Sequence, residues 1–335
     1  MTKVAINGLG RIGRAALKII LDTAQLELVA VNDIVPAENI AYLLKYDTVY
    51  GRYEKSVESD GENLIIGDTV IRYFNEKDPT RLPWSTLGVD VVLECTGVFT
   101  KREDLEKHVH AGAKYVILSA PAKSEDIVTV VHGVNKADGN TNIIACASCT
   151  TNCITPVVEI MGRRIGIQKA IMTTIHAYTA SQAIVDGPNK RFERGRAGAA
   201  NFVPTSTGAA MATAKALPQY VGLFDGIAVR GPVLVGSLAD IVLIAQRKTS
   251  VDEINHIFME EAASDRYRDI IGVTEDPIVS SDIIKDPRAS IIDLGMTRVV
   301  DGDLVKILSW YDNEWGFTNQ MVRQVVEIAQ AIKEV

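Results

Sequence analysis

Cysteine is scarce: there are four in 335 residues. That is too few for the disulfide frameworks that hold small secreted domains together, so the expected setting is a reducing cytoplasm. No apolar run approaches the roughly 18–20 residues of a membrane-spanning helix. The first residues, Met1-Thr2-Lys3-Val4-Ala5-Ile6, enter a strand pattern at once, without a basic leader, apolar core and cleavage site; no export signal is expected. Positive charge is not in excess, since 35 Lys and Arg face 42 Asp and Glu for a net charge of −7. A dedicated nucleic-acid binder would usually carry a basic face, so that class is disfavoured. A local basic pocket for a small anion is not. The sequence also has no internal repeat, low-complexity tract or linker.

At about 150 residues per domain, the length predicts roughly two domains, each large enough to fold without metal or disulfides. The chain opens as a strand over residues 3–7, a glycine-rich turn, a helix over 11–22 with Ile12, Ala15, Ala16, Ile19 and Ile20 on one stripe, and a second strand, Leu26–Asn32. Continuous apolar strands recur at Val89–Glu94, Tyr115–Leu118 and Ile143–Ala145, with helical stretches such as Arg102–Ala111 between them. Such alternation predicts a parallel sheet covered on both faces. After about residue 150 the texture changes. Strands at Ile167–His176, Gly226–Val229, Ala239–Gln246, Ser290–Asp293 and Leu304–Trp310 have few helices between them, which predicts a mixed or antiparallel sheet. Residues 177–205 have little periodicity and read as a long loop of the kind that serves a site or an interface. Residues 316–335 read as an amphipathic helix.

Gly8-Leu9-Gly10-Arg11-Ile12-Gly13 has G-x-G-x-x-G spacing, follows a strand and opens a helix. Asp33 closes the next strand, twenty residues after Gly13, where a dinucleotide site needs an acid. Gly8 permits the tight turn, Gly10 lets the backbone approach a pyrophosphate, and Gly13 allows close helix–strand packing. The helix N-terminus offers free N–H groups to phosphate. Asp33 would accept from ribose hydroxyls and repel a 2′-phosphate, which favours NAD over NADP.

Cys146, Cys149 and Cys153 have C-x₂-C-x₃-C spacing. A metal or iron–sulfur site usually needs a fourth ligand, and the only other cysteine, Cys95, lies within an apolar strand. No metal is expected. A nucleophile fits better. With a helix over residues 155–162 and Pro156 in its first turn, Cys149 falls near a helix N-terminus, where a thiolate is stabilised. Ser148, Thr150, Thr151 and Asn152 add donors for an oxyanion or phosphate. Cys153, one helical turn on, reads as a small buried residue. A base must come from elsewhere. His108, His110 and His256 sit on polar helices and read as surface residues, and His132 in its Val-Val-His-Gly turn is ambiguous. His176 ends a strand just before the long loop, where a catalytic side chain would be presented.

With these residues in place, the sequence resembles the phosphorylating glyceraldehyde-3-phosphate dehydrogenases of the NAD-dependent, type I family. The matches run in order along the chain: Asn7 to Arg14, Ala147-Ser148-Cys149-Thr150-Thr151-Asn152-Cys153, His176-Ala177-Tyr178-Thr179, Thr207-Gly208-Ala209-Ala210, and Trp310 to Gly316. The resemblance implies an N-terminal Rossmann dinucleotide-binding domain over 1–148, completed by the C-terminal helix 316–335. It implies an α+β catalytic domain over 149–315 with a mixed, largely antiparallel sheet, whose segment 177–205 is the family's S-loop. The implied chemistry is thiohemiacetal and thioester formation on Cys149 with His176 as base, NAD as hydride acceptor, and release of an acyl phosphate by inorganic phosphate.

By the same resemblance, Ser148, Thr150, Arg194, Thr207 and Gly208 serve the attacking phosphate, and Thr179 and Arg230 hold the substrate phosphate. Gly8, Gly10, Arg11, Ile12, Gly13, Asp33, Lys77, Thr96, Ser119 and Asn313 serve the cofactor, with Asn313 orienting the nicotinamide amide. The S-loop implies a homotetramer, and the implied setting is cytoplasmic glycolysis or gluconeogenesis. Departures from the commonest pattern are Leu9 for phenylalanine, Cys146 for asparagine, Ser181 for aspartate, Gly187 for leucine, Glu193 for arginine and Gly231 for valine. Pro188 is kept and, with Asp33, favours NAD. Two other readings stay open on sequence: an erythrose-4-phosphate dehydrogenase with the same cysteine and histidine, and a non-catalytic NAD-binding redox sensor.

Overall fold

Apolar runs without polar alternation become strands buried on both faces, and the N-terminal part of the chain is built from them. The computed structural model of the protein describes residues 1–137 and 141–334, with side chains through residue 331. The chain divides into two compact units: Met1–Val130, Ala137–Ala147 and Met321–Val335 form the first, Val131–Lys136 and Ser148–Gln320 the second.

The first unit holds a nine-stranded sheet in the order Val128–Thr129, Ile143–Ala145, Tyr115–Leu118, Val91–Glu94, Thr2–Asn7, Leu26–Asn32, Thr69–Phe74, Asn63–Ile66, Val57–Ser59. The first seven run parallel, and the last two close the edge antiparallel. Val4, Ala5, Ile6, Val91, Val92, Leu93, Val116 and Ile117 are wholly buried, as strands between two helical layers require. From Thr2–Asn7 the chain pairs outward to Leu26–Asn32 on one side and to Val91–Glu94 on the other. Such a reversal of strand order opens a crevice at the carboxyl ends of the strands.

The second unit carries an eight-stranded mixed sheet: Val203–Ser206, Phe224–Gly231, Ile167–Ala177, Ser237–Ala245, Leu304–Tyr311, Ser290–Asp293 and Ile271–Thr274 in order, with Arg298–Val300 also on Leu304–Tyr311. Buried and less buried residues alternate strictly along Ser237–Ala245, so one face forms the core. That core joins Ile241, Leu243, Val305 and Ile307 to Ile154, Val157 and Met161 of the helix Cys149–Arg164 and to Phe258 of Val251–Ala263. The opposite face leaves Ile171, Ile175 and Ile227 exposed.

The α/β fold with a Rossmann-type domain and a mixed-sheet domain therefore stands, with local corrections. The expected helix over 155–162 starts at Cys149 and runs to Arg164. Pro156 lies well inside it rather than in its first turn; the Ser148 hydroxyl, accepting from Thr151 N at 3.2 Å, sets the start instead. The segment 177–205 is not loop to its end. It contains two 3₁₀ turns, and Val203–Ser206 pairs antiparallel with Phe224–Gly231. Val203–Ser206 is an edge strand, where Pro204 is tolerated. The C-terminal helix is Trp315–Glu334; Val335, the end of the helix expected over 316–335, lies outside the described residues. No described helix is long and apolar enough to cross a membrane.

Candidate active site

The helix Cys149–Arg164 begins on the cysteine itself. Ser148 is its N-cap, in extended backbone, and its hydroxyl lies 2.9 Å from that of Thr151. Cys149 thus sits on the first turn, where unpaired N–H groups and the helix dipole favour negative charge. His176 comes from the long strand Ile167–Ala177, which is hydrogen-bonded on both sides. Its Nε2 lies 3.3 Å from Cys149 Sγ.

His176 Nδ1 lies 2.7 Å from the Ala177 carbonyl oxygen. A carbonyl can only accept, so this 2.7 Å contact, shorter than the 3.0 Å approach of Arg230 NH1 to the same nitrogen, places the proton on Nδ1 and leaves Nε2 a lone pair toward the sulfur. Arg230 pairs with His176 in register on the neighbouring parallel strand. Its NH1 lies 3.0 Å from Nδ1 and donates to the same carbonyl at 3.0 Å. Tyr311 packs its ring edge-on to the imidazole at 5.9 Å. Its hydroxyl is shared with Thr174 at 2.7 Å and Thr150 at 2.9 Å. The sequence reading quoted Tyr311 only inside the Trp310–Gly316 motif; its contact with His176 had no signal of its own.

Burial pushes the Cys149 thiol up, while the Arg230 charge and hydrogen bonds at Thr150 pull it down. Burial, then the positive charge of Arg230, drives the His176 imidazole down to about 3. Burial thus favours the neutral forms of both groups, a thiol and an imidazole 3.3 Å apart and within reach of proton transfer.

The same unit carries further groups suited to anions, of which Arg230 and Arg194 act on the pair. Arg230 is largely buried, and burial lowers its pKa; its Nε has no hydrogen-bond partner. Arg194 donates to Thr205 Oγ1 at 3.1 Å and to the Ser206 carbonyl at 3.2 Å. Burial and the nearby charge of Arg230 lower its pKa. Thr207 Oγ1 accepts from Ala209 N at 3.2 Å, and Gly208 caps the helix Ala209–Ala216. Thr179 Oγ1 lies 2.9 Å from Ser181 Oγ. Asn313 Oδ1 accepts from Gly236 N at 3.1 Å and Ser237 Oγ at 2.9 Å, which fixes the amide with Nδ2 as its donor end. Cys153 is buried against Ser309 Oγ at 3.2 Å, far from the role of a second nucleophile.

In the first unit a cavity of about 480 Å³ opens at the strand ends, lined among others by Gly8, Gly10, Asp33, Lys77 and Thr96. Its chemistry fits a dinucleotide. Gly8 has φ +93°, and a Cβ there would stand 2.7 Å from Thr96 N; a Cβ on Gly13 would strike the Gly8 carbonyl at 1.9 Å. The helix Arg11–Leu21 starts at Gly10 with no side-chain cap, which leaves its N–H groups for phosphate. Asp33 is fixed through Leu9 N at 2.6 Å and Val35 N at 3.1 Å. Arg11 pairs with Asp47 and stacks over Tyr50. Arg11, Ile12, Gly13 and Ser119 are not among the lining residues; Ser119 is half-buried and bonds Glu94 O at 3.0 Å. Asn7, Asn32, Cys95 and Phe99 line the cavity without having been singled out for it. One histidine overturns its expectation: His108 is not a surface residue but 0% exposed. Its ring bonds Trp84 and Glu94, and burial of the Trp84 side of the helix draws it in.

Comparison with known proteins agrees with this division. Residues 2–102 match the family model described as "Glyceraldehyde 3-phosphate dehydrogenase, NAD binding domain", and residues 148–313 match "Glyceraldehyde 3-phosphate dehydrogenase, C-terminal domain". The chain is 47% identical to "Glyceraldehyde-3-phosphate dehydrogenase 2" of Streptomyces avermitilis over 334 residues, 98% of this chain and 99% of that one. It is 46% identical to "Glyceraldehyde-3-phosphate dehydrogenase" of Clostridium pasteurianum over 340 residues, 99% of this chain and all of that one. It is 47% identical to the protein of the same name from Mycobacterium tuberculosis over 339 residues, 98% of this chain and 99% of that one.

Proposed function

The chain belongs to the glyceraldehyde 3-phosphate dehydrogenase family, and from that premise we propose that it carries out the reversible, NAD-dependent oxidative phosphorylation of D-glyceraldehyde 3-phosphate to 1,3-bisphosphoglycerate. The observation that carries this reading is the 3.3 Å approach of Cys149 Sγ to a proton-accepting Nε2 of His176 beside the Arg230 guanidinium.

In this reading the sulfur of Cys149 adds to the aldehyde carbon as Nε2 accepts the thiol proton. The new oxyanion is met by donors at the helix N-terminus and takes that proton from His176 Nε2, giving a thiohemiacetal and restoring the neutral imidazole. His176 then takes the hydroxyl proton, so that the carbonyl of a thioester re-forms as hydride departs. NAD, when bound, supplies the acceptor for that hydride. Asn313 Nδ2 is the donor assigned to its amide, and Gly8, Gly10, Arg11, Ile12, Gly13, Asp33, Lys77, Thr96 and Ser119 are assigned to the rest of the cofactor. Inorganic phosphate attacks the thioester, and the Cys149 thiolate leaves.

Two phosphate subsites follow. Ser148, Thr150, Arg194, Thr207 and Gly208 are assigned to the attacking phosphate, and Thr179 and Arg230 to the substrate phosphate. The unpartnered Nε of Arg230 supports an anion there, because a buried donor without an acceptor is costly. Thr150 shares its hydroxyl with Tyr311 at 2.9 Å, which fixes it beside Cys149. We read residues 1–148 with the C-terminal helix as the NAD-binding domain and 149–315 as the catalytic domain. A homotetramer belongs to the same reading, supported by Ile184 and Phe192, each 89% exposed, and Phe202, 72% exposed, within or beside the S-loop. Side chains of that kind ask for a partner surface. A cytoplasmic setting fits four cysteines outside any disulfide and a mechanism that needs Cys149 reduced.

The test is NADH absorbance with glyceraldehyde 3-phosphate and NAD, with and without phosphate, and with NADP in place of NAD. Phosphate-dependent turnover with NAD is expected, with a burst of about one NADH per subunit when phosphate is omitted. Turnover on erythrose 4-phosphate in its place would overturn the substrate assignment. Silence with both aldehydes would overturn the catalytic one.

A further inference from the structure

Beneath the cofactor cavity of the first unit lies a buried polar cluster that the reaction does not use. Glu94, His108, Asn7 and Asn32 are 0–3% exposed, on strands and a helix that otherwise bury apolar groups. Their hydrogen bonds have a definite direction. Trp84 Nε1 can only donate, and it lies 3.1 Å from His108 Nδ1. Nδ1 is therefore the acceptor, and the ring proton sits on Nε2, which donates to Glu94 Oε2 at 3.1 Å. Asn7 Nδ2 donates to the same oxygen at 2.6 Å. The other oxygen, Oε1, accepts from Thr96 N at 2.8 Å and from the Thr96 hydroxyl. Every contact of the Glu94 side chain is thus with a donor. The imidazole that faces it is held neutral, since its second nitrogen is occupied as an acceptor.

The cluster reaches the cavity in two directions. Through Thr96 it holds the turn after strand Val91–Glu94 against Gly8, whose missing side chain is what lets Thr96 N come so close. Through Asn7 it continues outward: Asn32 Nδ2 donates to Asn7 Oδ1 at 2.7 Å and to the Glu76 carbonyl at 2.9 Å, and Glu76 N donates back to Asn32 Oδ1 at 2.9 Å. Asn7, Gly8, Asn32, Glu76 and Thr96 all line the cavity. Glu94 does not.

We propose that Glu94, oriented by His108, is a positioning residue for the dinucleotide site: its four donor contacts fix the Thr96 turn and the Asn7–Asn32–Glu76 relay as one preformed wall. This inference rests on the reading of the cavity as the NAD site. A wall ordered before the ligand arrives saves the ligand that ordering cost, so loss of the anchor weakens NAD binding and leaves the Cys149 chemistry alone.

The experiment compares full-length wild type with Glu94→Gln, His108→Leu and His108→Gln. NAD affinity is measured by calorimetry, turnover at saturating NAD, and Cys149 reactivity by iodoacetamide alkylation. Glu94→Gln turns an acceptor into a donor that faces other donors. It is expected to raise the NAD Kd and KM about tenfold or more, equivalent to about 1.4 kcal/mol, while kcat, the aldehyde KM and the alkylation rate stay within about threefold. His108→Leu is expected to weaken NAD several-fold. His108→Gln, whose amide N–H can take the place of Nε2–H, is expected to restore most of that loss. This pair also carries the test should Glu94→Gln fail to fold. Equal NAD affinities for His108→Leu and His108→Gln would overturn the proposal. So would a folded Glu94→Gln with wild-type NAD affinity, or one whose kcat and aldehyde KM collapse together. A wild-type chain that does not bind NAD would overturn the cofactor reading as well.

Discussion

Arg230 and His176 are register partners on neighbouring parallel strands, and the Arg230 guanidinium lies 3.0 Å from the imidazole Nδ1. One cation therefore acts on both members of the reactive pair, and with opposite signs. It favours the Cys149 thiolate and disfavours the His176 imidazolium. Replacing Arg230 by methionine removes the pull on the thiol. The alkaline limb of Cys149 alkylation by iodoacetamide should move to higher pH, and the aldehyde KM should rise about tenfold or more with loss of a charge-assisted contact. Arg230→Lys should show a smaller shift. An unmoved alkylation profile in Arg230→Met would sink this account.

Nucleophile and base have separable signatures. Cys149→Ser should abolish dehydrogenase turnover, with the circular dichroism spectrum and NAD affinity retained. His176→Asn should lower kcat by about 10²–10⁴, the usual contribution of general acid–base catalysis, and should slow alkylation of Cys149 at neutral pH. Near-wild-type turnover in either variant would assign the chemistry elsewhere.

Burial of His176 also makes a prediction about stability. Its imidazole is driven to about 3 in the fold, against about 6.5 in an unfolded chain. The folded state thus favours the neutral ring. Its contribution is fully present above pH ~6.5 and is lost as the pH falls from there toward 3, by a few kcal/mol at the end of that range. Relative to His176→Gln, whose carboxylates are the same, the wild-type urea midpoint should fall on going from pH 7.5 to pH 4.5. A constant difference between the two across that range would refute the coupling.

Two glycines of one motif should fail differently. A Cβ on Gly13 meets the Gly8 carbonyl at 1.9 Å, whereas one on Gly10 meets nothing within 4 Å. Gly13→Ala is expected to cost about 1–3 kcal/mol of stability through overpacking. Gly10→Ala should leave Tm unchanged and, on the proposed assignment of Gly10 to the cofactor's pyrophosphate, weaken NAD. Thermal denaturation and NAD titration of the two variants check this; the reverse ordering of their Tm values would contradict it.

Much of the fold was legible in the sequence because local and tertiary preferences agreed. Leu26–Asn32, Tyr115–Leu118, Ile143–Ala145 and Ser290–Asp293 are observed with the bounds read from their apolar runs, since nothing in their tertiary setting opposes the local preference. The start of the helix at Cys149 was not legible. Pro156 is a strong local signal for a first turn, and Cys-Thr-Thr-Asn resembles a loop. Burial of Thr151, Asn152 and Thr155 and the Ser148 cap outweigh those preferences. His108 misled for a similar reason. Its neighbours Glu106, Lys107 and His110 are polar, while the Trp84 and Glu94 groups that bury it are 24 and 14 residues away.

What the sequence by itself determined is the inventory: a glycine turn that only a close backbone approach explains, an acid at the second strand end, a cysteine flanked by donors, and a histidine at a strand terminus. Each is a local matter of which residue types can adopt a turn, cap a helix or ionise. What only the tertiary structure decided is which groups face one another. Cys149 and His176, 27 positions apart, close to 3.3 Å because a helix and a strand pack on one core. Arg230 reaches the imidazole through strand register, and Glu94 meets Asn7 from a neighbouring strand end and His108 from a helix. Such pairings depend on long-range packing, and no local preference along the chain encodes them.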